Sequence, residues 1–569
     1  MELYLEKTRI EAVPGKSLRQ LIVENGLDSR SLNERPLAAR IAGETFTLNY
    51  IPLRESDIQD LTVRKAVAAA KGQVQLLRYR DPKGKRVYER TALFVLYQVL
   101  SGLYPTSQPR ISCAVGPALF ISMDGLDPFE DGVLESIRGG FARAVAEDFP
   151  FVRHRMDTQA AKERLEREGR TQQARLLQWR SLPYFDLYES HGYADYLYGE
   201  MLPSSGYLTL WGIEAAKGGL MLLLPDLENP EVLGHYEERP NFSAVFAQSE
   251  RWCQLERCNC VADLNDLTES GGLRELIRVS EALHEKSFAD IADRIVERGA
   301  RAVMIAGPSS SGKTTSANRL AVQLRVHGKN PILMSLDDYY IDRCKLTPGP
   351  DGKYDLEHIN AIDTDLFRLQ LKALLAGERV NTPRFNFKTQ RREESDRWVR
   401  LDEDTIILVE GLHGLNPELL PEGVDHNLVF RLYVSALLPL NLDDHNRIPT
   451  TFLRQMRRIV RDNATRGTNV EQTLSMWDSI RRGEDRWIFP FQENADVIFN
   501  TSLIYEIALL KDHVCPLLQS IGPECGCYDD ARALMKVLNY VVSASCTDEV
   551  PPTSILREFI GGNTFYLKS

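Results

Sequence analysis

A chain of 569 residues is too long for one ordinary domain, and at roughly 150 residues per domain it is expected to hold several separate cores. With 43% hydrophobic and 26% charged residues it has the make-up of a folded, water-soluble protein, which excludes a wholly disordered or fibrous chain. Its 69 basic and 80 acidic residues leave a formal net charge of −11, which excludes an overall polycationic surface of the kind that holds nucleic acid phosphates; a local basic patch stays open.

The start, "MELYLEKTRIEAVPGKS", alternates charged and apolar residues where a secretion signal needs a continuous apolar stretch, and no run of 18 apolar residues follows anywhere. A cytoplasmic protein without membrane contact is expected. Residues 1–62 read as a small β-rich module on one helix, "SLRQLIVENG", that ends at Gly26. A mixed α/β segment, 63–225, contains "RTALFVLYQVLSGLYP", an apolar helix stopped by Gly102 and Pro105. It also contains "AAKERLEREGRTQQARLLQWRS" (160–181), which reads as one solvated helix laced with opposite charges. Cys253, Cys258 and Cys260 lack the paired C-x-x-C spacing of a zinc site, and nine cysteines in all fit a reducing compartment.

Residues 226–298 are expected to connect two halves through a long amphipathic helix, 273–298. Beyond it, the apolar runs "AVMIAG", "PILMSLD", "TIILVEG", "LVFRLYV" and "ADVIFN" alternate with helical stretches at 313–327 and 363–376. That alternation predicts a mostly parallel sheet with helices on both faces over 299–510. The last segment, 511–569, reads as largely helical, and the sequence leaves its contacts open.

The first of those strands runs into "GPSSSGKTT". Gly307, Gly312, Lys313 and Thr314 satisfy G-x-x-x-x-G-K-[ST], a loop whose backbone N–H groups curl around phosphate. Ser309, Ser310, Ser311 and Thr315 complete the cradle. Lys313 would neutralise developing charge, and the Thr314 hydroxyl would ligate Mg²⁺, with ATP as the bound nucleotide. Asp337 closes the next strand, where a carboxylate faces the nucleotide crevice and can take a proton from an attacking hydroxyl or hold metal. Glu410, at the edge of "TIILVEG", is a second carboxylate for the metal. Arg454, Arg457, Arg458, Arg461 and Arg466 crowd a helix and a glycine turn, a density that suits a lid over a phosphate site.

With these pieces in order, residues from about 300 to 505 resemble the uridine kinase and phosphoribulokinase family of P-loop kinases. "SLDDYY" resembles the segment that carries the family's base, which implies that role for Asp337 and places Tyr340 beside the nucleoside. "YDLEHINAID" resembles the stretch whose acid holds ribose hydroxyls, which falls on Glu357. "PRFNF" resembles the strand that supplies aromatic contacts, implicating Phe385 and Phe387. "RRIVRDNATRG" resembles the lid, with Arg458, Arg461 and Arg466. Three pocket positions depart from the pyrimidine kinases: Gln390 stands for a histidine that reads the base, Thr468 for an arginine and Met476 for a glutamine. "VEGLHGL" is also similar to phosphoribulokinase, so the acceptor is left open between a nucleoside and a sugar phosphate.

Residues 1–225 resemble the N-terminal region of threonyl-tRNA synthetase, a TGS-type β-grasp module followed by the editing domain. The strongest likeness is in "RTALFVLYQVLSGLYP" and "AVGPALFISMDG", with "YADYLYGEMLPSSG" weaker. The positions of the family's metal-like cluster fall on Arg90, Phe94, Leu197 and Glu200. Phenylalanine and leucine neither bind metal nor carry protons, so a degenerate, non-editing domain is implied.

The expected fold class is therefore α/β, a P-loop kinase domain preceded by a β-grasp module and an α+β synthetase-like domain. The expected activity is ATP- and Mg²⁺-dependent phosphorylation of a hydroxyl on a nucleoside or related ribosyl compound. A phosphoribulokinase-like enzyme and a nucleotide-switched, RNA-associated regulator without kinase activity are the alternatives. Nucleic acid is not the expected partner, although tRNA is not excluded; homo-oligomerisation is left open.

Overall fold

The computed structural model describes residues 2–11, 13, 15–51, 65–346, 357–386 and 389–566. Ser17 opens the first helix, Leu18–Glu24, with a capping box: its hydroxyl accepts the Gln20 N–H while the Gln20 side chain accepts the Ser17 N–H. That helix packs Leu18, Leu21 and Ile22 against a five-stranded sheet ordered Thr8–Glu11, Glu2–Leu5, Gln73–Leu77, Ala38–Ile41, Glu44–Phe46. Glu2–Leu5 and Gln73–Leu77 run parallel at its centre. The sheet therefore reaches past residue 62, because a strand eleven residues further on completes it.

A second unit sets helices Pro82–Leu103 and Val133–Ala146 on a four-stranded antiparallel sheet, with a three-stranded sheet beside it. Its first helix begins eight residues before Arg90, with Pro82 in its first turn, where the missing N–H costs nothing. The stretch 160–181 is corrected from one solvated helix to Thr158–Arg167 and Thr171–Leu176, broken at Gly169 with φ +75°. Ala161, Leu165, Ala174, Leu176 and Leu177 turn one side of both into a core, so the charges line only the outer side.

The third unit is a five-stranded, wholly parallel sheet in the order Asn330–Ser335, Thr405–Glu410, Ala302–Ala306, Val429–Ser435, Val497–Asn500. This is a P-loop kinase-like α/β fold. Helix Lys313–Val326 lays Ala317, Leu320 and Leu324 on one face of the sheet, where Val303, Ile305, Leu408 and Leu432 wait. Each fully buried leucine or isoleucine there contributes roughly 1.5–3 kcal/mol. The long helix, Leu273–Arg298, does more than connect: Phe288, Ile291, Ala292 and Ile295 enter the same core.

The C-terminal segment is less helical than its sequence suggests. Helices Glu506–Gln519 and Tyr528–Leu538 are followed by irregular chain with short turns. Ile555 and Phe559 of that chain pack into the core beneath the parallel sheet. Among the described residues no helix is long and apolar enough to cross a membrane.

Candidate functional site

All five residues of Ala302–Ala306 are buried, and the strand empties into the loop that opens on Gly307. A Cβ on Gly307 would lie 2.0 Å from the Val434 carbonyl oxygen, so only glycine lets the loop turn this close to the neighbouring strand. Gly312 takes φ +84° and hands the chain to helix Lys313–Val326, whose N-terminus faces the loop. The hydroxyls of Ser310 and Ser311 are buried without a hydrogen-bond partner among the described residues. Lys313 Nζ folds back across the loop and donates to the carbonyls of Gly307 (3.0 Å) and Pro308 (3.3 Å).

Strand pairing assembles the acids. Ser335 sits opposite Glu410 in the parallel register, and its hydroxyl donates to Glu410 Oε1 at 3.0 Å while accepting the Asp337 N–H at 3.3 Å. Asp337 itself lies in the tight turn Leu336–Tyr339 just past the strand. Burial pushes Glu410 up to about 7, with the Asp337 charge adding to it and Lys313 opposing. Burial likewise raises Asp337, opposed by Lys313 and Arg466. Burial lowers the Lys313 ammonium, and the same two carboxylates hold it back up. Glu357 belongs to the same field: burial and the Glu484 charge push it up to about 7, against Arg458 and Lys313.

The arginines divide into two groups. Arg454 and Arg457 are buried, the first forking onto Glu484 and the second onto Glu506. Both pairs brace the phosphate loop from behind, since Glu484 accepts the Ser309 N–H at 3.0 Å and Arg457 donates to the Ser310 carbonyl at 3.4 Å. Arg458, Arg461 and Arg466 form ion pairs with one buried carboxylate, Asp462. Arg458 also donates to the Ser309 hydroxyl at 2.5 Å, and the Arg466 charge reaches Asp337.

On the acceptor side, the rings of Tyr340 and Phe385 lie 5.6 Å apart. Phe385 comes from the hairpin Val380–Asn386/Arg391–Val399, which Asp338 ties down by accepting the Phe385 N–H and an Arg397 N–H, each at 3.1 Å. Gln390 holds the hairpin turn with φ +55°. Phe387 lies outside the described residues.

Sequence reasoning missed Glu484, Glu506, Asp462 and the C-terminal Glu558. Glu558 accepts the Thr315 hydroxyl at 2.6 Å, while Ile555 closes over Gly312, its Cγ2 standing 2.7 Å from where a Cβ would be. One signal was present: Arg454 and Arg457 fall among the apolar positions of helix Thr450–Arg461, and buried arginines demand carboxylates. Nothing in the sequence says which carboxylates answer.

In the second unit the four positions aligned with an editing cluster do converge. Arg90 donates to the Glu200 carbonyl at 2.9 Å, Phe94 packs edge-on against Phe151 and Tyr193, and Leu197 is buried with them. The Glu200 carboxylate is taken by Arg153, Tyr188 and the Thr47 N–H. Cys253, Cys258 and Cys260 are buried thiols that burial pushes up in pKa. Among the described residues no group of three or more His, Cys, Asp or Glu side chains is arranged to hold a metal ion.

The sequence profile "Phosphoribulokinase / Uridine kinase family" matches residues 302–507. A protein named uridine kinase from Staphylococcus aureus (strain JH9) is 30% identical over 195 residues, which is 34% of this chain and 84% of that protein. Uridine-cytidine kinase A of Dictyostelium discoideum is 29% identical over 226 residues, 38% of this chain, and the match spans only 40% of that protein. A solved structure described as "Structure of a Possible Uridine Kinase from Bacillus stearothermophilus" covers 38% of this chain and 98% of its own, at 20% identity and a TM-score of 0.27.

Proposed function

Because the chain belongs to the phosphoribulokinase and uridine kinase family, we propose that it is an ATP- and Mg²⁺-dependent phosphotransferase acting on a hydroxyl of a nucleoside or related ribosyl compound. The observation that carries this reading is the meeting of Lys313, Asp337 and Glu410 at the mouth of the phosphate loop. The loop fits a nucleotide: among the described residues the buried Ser310 and Ser311 hydroxyls have no hydrogen-bond partner, and the Lys313 hydrogen bonds go to its own loop carbonyls. The acid pair, raised by burial and at Glu410 also by the Asp337 charge, fits a divalent cation held by Thr314 and Glu410. When bound, ATP supplies the phosphoryl group and Mg²⁺ neutralises its charge.

The chain's own residues do the rest. Gly307 and Ser309–Thr315 bind phosphate oxygens, and Asp337, with its raised affinity for protons, takes the proton of the acceptor hydroxyl. Arg458, Arg461 and Arg466 offset charge on the transferring group, and Asp462 holds the three together. Tyr340, Glu357, Phe385 and Gln390 form the acceptor side, and Phe387, outside the described residues, is assigned to it by the family resemblance alone. In the first unit, the parallel pairing of first and last strands at the sheet centre supports the reading as a β-grasp module of the TGS type. The degenerate cluster at Arg90, Phe94, Leu197 and Glu200 supports a synthetase-like unit without editing chemistry.

The test is ATP consumption with Mg²⁺ against nucleosides, ribose phosphates and ribulose 5-phosphate, with Lys313→Ala as the blank. ADP release that depends on one acceptor is expected, and its identity separates a nucleoside kinase from a sugar-phosphate kinase. Slow release indifferent to every acceptor would overturn the kinase reading in favour of the nucleotide-switched regulator, for which tRNA binding that changes with nucleotide is the next measurement.

A further inference from the structure

Far along the chain from the phosphate loop, a cleft of about 610 Å³ opens where the first unit, the second unit and helix Tyr528–Leu538 meet. That volume suits a small organic ligand. Its carboxylates are already engaged: Asp186 by Arg153 and Arg155, Glu200 by Arg153, Asp529 by the Thr45 hydroxyl and Lys83, and Glu44 by Arg532. Two lining cations are left over. Among the described residues Arg180 forms no ion pair, donating to the Tyr184 carbonyl and the Tyr540 hydroxyl and lying over the Phe185 ring at 5.1 Å, and the exposed side chain of Lys536 forms no hydrogen bond or ion pair. Desolvation lowers the Lys536 ammonium, with the Arg90 and Arg532 charges adding to it and those of Glu200 and Asp529 opposing.

The other wall is aromatic. Tyr196 and Tyr198 stand ring to ring at 4.5 Å, and Tyr198 meets Tyr540 edge-on at 5.4 Å. Tyr198 is held at φ +48°, a left-handed conformation that is costly for a bulky side chain and persists only where its surroundings impose it. Surplus cations beside a tyrosine wall present the two surfaces that an aromatic phosphate needs.

We propose that this cleft is a second ligand site, separate from the phosphate loop, for a mononucleotide-sized anion that joins a planar ring to a phosphate. Arg180 and Lys536 take the phosphate, and the ring lies against Tyr196, Tyr198 and Tyr540. This goes beyond the phosphotransferase reading and does not depend on it.

Pyridoxal 5′-phosphate is a suitable probe for the full chain, being a planar aromatic phosphate whose aldehyde condenses with an unprotonated amine, losing water, and is fixed by borohydride. Peptide mapping is expected to show Lys536 labelled at least tenfold above the other exposed lysines. UMP is expected to protect Lys536, whereas inorganic phosphate at the same concentration is not. Labelling is expected to fall at least tenfold in Arg180→Met. Lys536→Met is expected to remove one UMP equivalent from the calorimetric titration of the Lys313→Ala protein, UMP held at the acceptor side of the kinase site remaining. Labelling of Lys536 at the level of surface lysines would overturn the proposal, as would labelling that UMP leaves unchanged. Any labelling of Lys313 maps to a different peptide, so the phosphate loop cannot imitate the result.

Discussion

Asp337 and Glu410 share a crevice but not a bonding pattern. Glu410 is anchored by the Ser335 hydroxyl, whereas only the backbone N–H of Asp337 is engaged by that serine. Asp337→Asn keeps the shape and removes the proposed proton acceptor, so turnover is expected to drop by about 10²–10⁴-fold with ATP affinity little changed. Steady-state kinetics alongside nucleotide titration checks both halves, and an unaltered kcat would remove Asp337 as the base. The raised carboxyls also predict a pH dependence of stability. Glu410 and Glu357 titrate at about 7 in the folded chain against 4.5 ordinarily. The stabilisation they represent is therefore complete below about 4.5 and is lost as pH rises through 7, where burying two charges burdens the fold. Glu410→Gln should melt higher than the parent at pH 8 and no higher at pH 5; equal melting shifts at both pH values would contradict the assignment.

Helix Thr450–Arg461 braces the phosphate loop from behind. Arg457 and Glu506 are both wholly buried, and removing one member leaves the other charge without a partner. Arg457→Met is expected to cost about 3–5 kcal/mol in denaturant unfolding, and adding Glu506→Gln should return part of it. A merely additive double mutant would show that the pair does not act as one unit. The C-terminal chain is a second brace, with Ile555 and Phe559 in the kinase core and Glu558 on Thr315. Truncation before Pro551 should therefore lower both the melting temperature and the affinity for ATP. Retained affinity in a folded truncation would separate this segment from the nucleotide site.

The three units are locked together by polar contacts as well as apolar ones. The short hairpin at Asn441–Arg447 reaches out of the kinase unit, and His445 stacks on Tyr97 at 4.1 Å and pairs with buried Asp195 at 2.7 Å. Burial alone would raise Asp195, but the charges of His445 and Arg170 hold it well below the usual carboxylate range. Asp444 adds a backbone bond to Ile111 and an ion pair to Arg110. Such coupling predicts one calorimetric unfolding transition for the parent chain. Asp195→Ala strands His445, leaves Arg170 to Glu168, and is expected to split it into two; a single transition in the variant would mean that apolar packing alone fuses the units.

Local signals in the sequence were sufficient for the phosphate loop, the five parallel strands and the 273–298 helix, because each is written in contiguous residues: a glycine spacing, an apolar run, a 3.6-residue period. The same locality placed Asp337 and Glu410 at strand ends, where a parallel sheet has to open its crevice. Tertiary structure alone decided which carboxylates answer Arg454 and Arg457, that strand Gln73–Leu77 closes the first sheet, and that Glu558 returns to the phosphate loop from 243 residues away. These are pairings between distant segments. A buried charge fixes in the sequence only the need for a partner, and the packing of the whole chain chooses which one it is.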